Sequence, residues 1–252
     1  SSDLQTYLLG NFDSQYQFSF IATLLPRYFA NYSIEQCKLQ QVRYRFLNYN
    51  RKPRTHRVEL IEVLKQRKLL AHGLVSLGRG DPTYSNSHDA ILLGEQPEDY
   101  AGTGNWNLSM DFGVPHDIHS LGNMDIWRSH FLNIVSETVF LPWDPMFITE
   151  KTWKPMLGLR PFVLNGQPKI YSYLRDQGFR TFEQYWPVDV QNVTEQNIHG
   201  RIADLLDILC AMSAAEVQDL YTEMWADLLH NRTRFLQYAE EQQHRYCNLF
   251  HD

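Results

Sequence analysis

Between Val42 and Leu77 the chain reads strand, loop, helix, strand, and this order limits the fold more than any other feature. Arg43–Tyr49 alternates in character and reads as a strand. Asn50-Arg51-Lys52-Pro53-Arg54-Thr55 is a polar loop that places Pro53 near a helix start. Val58, Leu60, Ile61, Val63 and Leu64 then recur at roughly helical spacing, which predicts a helix over residues 54–68. Leu70–Leu77 is a short apolar run and reads as a second strand. Strands joined through a helix form the β–α–β unit of a parallel sheet, because the crossover returns the chain to the end where it began.

The alternation resumes downstream. Phe131–Val135 reads as a strand ending at Ser136-Glu137-Thr138, and Trp143-Asp144-Pro145 as a short loop. Thr149 is placed to cap a helix over Glu150–Leu157, which Pro155 is expected to disturb. Arg160–Leu164 predicts the next strand and Gln167–Asp176 the next helix. Between the two units, residues 78–123 are rich in Gly, Asp, Ser, Asn and Pro and predict a long irregular excursion at the sheet's carboxyl edge. After Thr194 two helices are expected, over 194–211 and 213–247. Leu205, Leu206, Ile208 and Leu209 mark the apolar face of the first, and Leu220, Met224, Leu228, Phe235 and Tyr238 that of the second. The expectation is an α/β, Rossmann-like parallel-sheet domain at 43–193, preceded by a weakly patterned segment at 1–42 and followed by a helical extension at 194–252.

Charge and cysteine content narrow the function. A net charge of −6 supplies no global field for nucleic acid or anionic lipid, so an anion site must be a local cluster. Cys37, Cys210 and Cys247 are far apart and odd in number, which favours a reducing, cytoplasmic setting over a disulfide framework. No stretch reaches the roughly 18–20 apolar residues of a membrane span.

Two clusters carry candidate chemistry. Arg51, Lys52, Arg54 and Arg57, with His56 among them, lie after a strand and open a helix. Ligands of parallel α/β sheets bind at that edge, helix N-termini favour anions, and arginine grips a diphosphate bidentately. A solvated basic loop would read the same way. In the second cluster Glu150 and Lys151 occupy the first turn of a helix, again after a strand. A carboxylate there can accept from ribose or sugar hydroxyls while an ammonium meets a phosphate. The helix dipole alone would account for Glu150, but it disfavours Lys151. His116 and His119 flank Asp117 without a third ligand partner, and Asp111 and Asp117 form no Asp-x-Asp metal signature.

The string Phe147-Ile148-Thr149-Glu150-Lys151-Thr152 resembles the Tyr-Ile-Thr-Glu-Lys signature of the α1,3-fucosyltransferases and related GT-B enzymes. Ser136-Glu137-Thr138 is similar to the acidic strand end upstream of that signature, and Asn50–Leu64 resembles the family's arginine-bearing strand–helix segment. The chain also looks like viral and bacterial sugar transferases that share the Asn-Arg-Lys-Pro-Arg…His-Arg opening. The resemblance spans residues 42–182 and implies a glycosyltransferase using a nucleotide-diphosphate sugar and a hydroxyl acceptor, with no metal and no further cofactor. It implies donor binding by Arg51, Arg54, Arg57, Thr149, Glu150 and Lys151, with cations on the diphosphate and Glu150 on the ribose. Glu137 and His56 are the candidates for acid–base work. The family's full N-terminal acceptor domain has only residues 1–42 as its counterpart, and Trp153-Lys154-Pro155 departs from the usual helix continuation. A non-catalytic nucleotide- or sugar-binding module, and a viral-type DNA-base glycosyltransferase, remain open as alternatives.

Overall fold

The computed structural model describes residues 32–50, 54–78, 90–93, 121–141 and 146–249. Strand β1 (Tyr44–Asn50) leads into α2 (Thr55–Gln66) and, after a 3-10 turn at Leu70–His72, into β2 (Gly73–Gly78). A short helix, α1 (Ile34–Cys37), precedes β1 and is closed by a capping box between Ser33 and Gln36. Strand β3 is Ala90–Leu93, α3 is Met124–Trp127 and β4 is His130–Ser136. Then come α4 (Glu150–Leu157), β5 (Phe162–Asn165), α5 (Lys169–Asp176), α6 (Ile198–Ala211), α7 (Ala214–Glu223) and α8 (Trp225–Leu249).

All five strands form one sheet in the order β3-β2-β1-β4-β5. The four expected strands are parallel neighbours, and β3 joins β2 antiparallel at the edge. The fold is therefore α/β and Rossmann-like. At the start of β2, Gly73 pairs with Phe46, and a Cβ on Gly73 would fall on the Phe46 ring. This contact lets the buried ring lie flat across the neighbouring strand.

Five expectations are corrected in detail. The excursion at 78–123 contains β3, a four-residue antiparallel strand that its turn-rich surroundings conceal. Leu70–His72 is a 3-10 turn, so β2 begins at Gly73. The helix expected over 213–247 is two helices that meet at Met224. Ile208 is exposed on α6, whereas Leu205, Leu206 and Leu209 are buried. Pro155 does not end α4, which runs two residues beyond it. The helical extension shares the sheet's core: Ile202, Leu206, Phe235 and Tyr238 belong to the same apolar cluster as Phe46, Phe131, Leu132 and Phe162. Trp153, on α4, is fully buried against Phe179, Phe235 and Tyr238, so α8 packs directly on α4. Among the described residues no helix is long and apolar enough to cross a membrane.

Candidate active site at the carboxyl edge of the sheet

Strand order reverses between β1 and β4. The chain moves outward from β1 to β2, returns, and moves outward again from β4 to β5. Connections then leave in opposite directions, and a crevice forms beyond the carboxyl ends of the two strands. α2 follows β1 and α4 follows β4, so the N-termini of both helices lie at this edge.

Glu137, the residue after β4, is fully buried and organises the crevice. Its Oε1 accepts the Thr149 N–H at 3.0 Å and the Thr152 hydroxyl at 2.6 Å. Its Oε2 accepts the Thr149 hydroxyl at 2.7 Å and the Thr138 N–H at 3.2 Å. Thr149 is the N-cap of α4, so the carboxylate fastens the start of that helix to the end of β4. A buried anion is favourable there, because it meets the positive end of the helix dipole and charge-assisted donors.

Arg57 and His56 approach the same residue from α2. The Arg57 Nη2 donates to the carbonyls of Ser136 and Glu137, both at 3.1 Å. Its guanidinium is buried, which lowers its pKa to about 10, while Glu137 and Glu150 act in the opposite sense. The His56 Nε2–H donates to the Glu137 carbonyl at 2.9 Å, so the basic lone pair is on Nδ1. Burial pushes the His56 pKa down to about 4 and leaves the ring neutral at pH 7. Phe140 stacks on His56 at 4.7 Å and on His199 at 5.6 Å.

On α4, the Lys151 ammonium donates to Glu150 Oε1 at 2.8 Å and to the Thr149 hydroxyl at 3.1 Å. Burial would raise the Glu150 pKa, but Lys151 and then Lys154 outweigh it and hold the carboxyl below its ordinary value. The Lys151 side chain remains a quarter exposed, and an ammonium has three N–H donors. Among the described residues two are used, which leaves the third for a ligand.

Five expected residues are thus joined through Glu137: His56 and Arg57 on its carbonyl, Thr149 on its carboxylate, Lys151 through Thr149, and Glu150 through Lys151. Arg54 is the N-cap of α2 but makes no side-chain cap bond, and its charge acts on both His56 and Arg57. Arg51 lies outside the described residues, as do Asp111, His116, Asp117 and His119. The two catalytic candidates sit in different surroundings. The Glu137 carboxylate already accepts four donors from its own chain, and a buried His56 with so low a pKa is a weak base.

Sequence reasoning missed a second layer. The Asn48 Nδ2 donates to the Ile134 carbonyl at 2.8 Å and to the Ser136 hydroxyl at 3.1 Å. The Asn50 Nδ2 donates to Asn48 Oδ1 at 2.6 Å. From β5, the Asn165 Nδ2 donates to the His56 carbonyl and the Ser136 hydroxyl, both at 3.2 Å, and its Oδ1 accepts from His199 Nε2 at 3.1 Å. All these asparagines are fully buried. The available signal was two asparagines at alternate positions of a central strand, where a buried parallel strand is ordinarily apolar. No family model matches this chain, and neither a curated protein nor a solved structure matches it.

Proposed function

We propose that this chain is the donor-binding part of a glycosyltransferase acting on a nucleotide-diphosphate sugar, with a hydroxyl as acceptor. The observation that carries the reading is the meeting of Arg57 and the Glu150–Lys151 pair, from two helix starts, through Glu137 at the strand-order reversal. Cations and helix N-termini at one crevice suit a diphosphate. A carboxylate beside them suits ribose hydroxyls. As the anomeric C–O bond breaks, its electron pair goes to the diphosphate oxygen, and the acceptor oxygen forms the new bond and loses its proton to solvent water. Lys151 and Arg57 stabilise the growing negative charge, which is where cations lower a barrier most.

The test is titration of the chain with nucleoside diphosphates and their sugar conjugates, alongside Lys151→Ala and Arg57→Ala. Hydrogen bonds to charged groups are worth about 1.5–3 kcal/mol, so each variant should bind roughly ten- to a hundredfold more weakly. The loss should shrink for the nucleoside without phosphates. Parent-like diphosphate binding by both variants would refute the reading.

A second reading is a non-catalytic nucleotide-sugar binder. It is favoured by the engagement of Glu137 with α4, since among the described residues this leaves the crevice without an evident strong base. Release of the sugar, by transfer or hydrolysis, separates the two.

A further inference from the structure

We infer that Asn50 is the specificity-determining acceptor of this crevice and takes a hydrogen bond from a hydroxyl of the donor sugar. The inference rests on the nucleotide-sugar reading above and deepens it. Its starting point is an atom: Asn50 Oδ1 is buried and, among the described residues, has no hydrogen-bond partner, although the residue is fully enclosed. Buried polar atoms are rarely left so.

The amide cannot turn over to relieve this. The Ile134 carbonyl can only accept, so the Asn48 group facing it must be Nδ2. Asn48 Oδ1 then faces Asn50 and can only accept, so the Asn50 group facing Asn48 must also be Nδ2. The orientation is passed from the backbone of β4 through two side chains, and Asn50 Oδ1 is what remains. Asn48 precedes Asn50 on the same strand. The Asn50 nitrogen is thus committed to Asn48, and Asn50 itself is the last residue of β1, at the carboxyl end of the strand. The backbone N–H of Asn50 donates to the Ser76 hydroxyl at 3.3 Å, which holds the residue from the β2 side.

An uncharged acceptor at that edge selects a particular ligand group. A phosphate has no proton to offer at neutral pH and would be repelled by the amide oxygen. With Glu150 on the ribose, the hydroxyl-rich part of the ligand still without a partner is the sugar. A site whose buried acceptor is met only by the correct hydroxyl rejects analogues lacking it strongly, because the acceptor is then left unmet inside a closed complex.

The experiment is calorimetric titration of the parent and of Asn50→Leu with UDP, UDP-glucose, GDP and GDP-mannose. Leucine keeps the shape, removes the acceptor and leaves Asn48 Oδ1 unmet in its place, so the number of unsatisfied atoms stays the same. Near-parental thermal stability is expected. The parent should bind one sugar nucleotide more tightly than its nucleoside diphosphate. Asn50→Leu should lose about tenfold in affinity for that sugar nucleotide, with the diphosphate affinity changed by less than about twofold. Asn50→Ser, which retains an acceptor, should recover part of the loss and serves as the readout if the leucine variant does not fold. Equal losses for both ligands would make Asn50 a structural residue and overturn the inference. Unchanged binding of both would do the same, with Asn50 Oδ1 then served by water. If the parent binds none of the four ligands, the nucleotide-sugar reading falls and takes this inference with it.

Discussion

Replacing Glu137 by glutamine changes one oxygen of a carboxylate to an NH2 group and leaves the volume unchanged. Each carboxylate oxygen accepts one backbone N–H and one threonine hydroxyl: Thr149 N–H with Thr152 on Oε1, and Thr138 N–H with Thr149 on Oε2. Whichever way the amide is placed, its NH2 faces one of each. The Thr152 hydroxyl can rotate and accept, the Thr149 hydroxyl already accepts twice from Lys151, and a backbone N–H cannot accept at all. One N–H is therefore stranded, at about 1–3 kcal/mol. The remaining bonds lose charge assistance, and the buried Arg57 loses one of the two carboxylates that favour its charge. The sum is about 3 kcal/mol, which in a chain of this size lowers the melting temperature by roughly 6–12 °C. The assay is thermal and urea denaturation of the purified variant, with nucleotide-sugar binding measured at a temperature where it remains folded. A Gln variant as stable as the parent would refute the positioning role. If that same variant bound the donor normally and lost only turnover, Glu137 would be a catalytic base after all.

Two further predictions follow from the packing and the histidines. Gly158→Ala should destabilise by about 1–3 kcal/mol in urea unfolding, because the added methyl would enter the ring of buried Trp127; a neutral effect would mean that this contact relaxes freely. Burial holds His56 near pKa 4 and His130 near 3 in the fold, against 6.5 as the ordinary value. The unfolded chain therefore takes up protons that the folded chain refuses, and stability is full above pH 6.5 and falls as the pH drops toward these values. Each histidine contributes a slope of up to about 1.4 kcal/mol per pH unit, and His56→Gln should remove one such contribution between about pH 6.5 and 4.5. A pH profile of that variant parallel to the parent's would contradict the burial argument for His56.

Much of the fold was legible because it rests on local pattern. The helical spacing in Val58–Leu64 and the apolar runs at Leu74, Phe131 and Phe162 mark elements whose partners need not be known in advance. The site was legible in part for a related reason. Thr149-Glu150-Lys151 announces a helix start, and a helix start after a parallel strand belongs at the ligand edge. The roles were harder to read. Glu137 looked like a reacting group because a carboxylate at a strand end says nothing about what surrounds it, and its donors lie up to 15 positions away. The asparagine layer was harder still. Asn48 finds Ser136 across 88 positions, and Asn165 finds His56 across 109. No periodicity encodes such contacts, and they become visible only when the sheet order is known.

The packing of α8 on α4 gives the chain a direction in time. Glu150 and Lys151 stand at one end of α4, and Trp153, one turn later, is walled in by Phe235 and Tyr238 of α8. A polypeptide emerging from the ribosome can complete the β1–β4 and β4–β5 pairings while α8 is still unmade. It cannot seat Trp153, so α4 lacks the wall that fixes its angle to the sheet. Ligand competence should therefore wait until α8 is made, although every residue of the crevice precedes that helix in the chain.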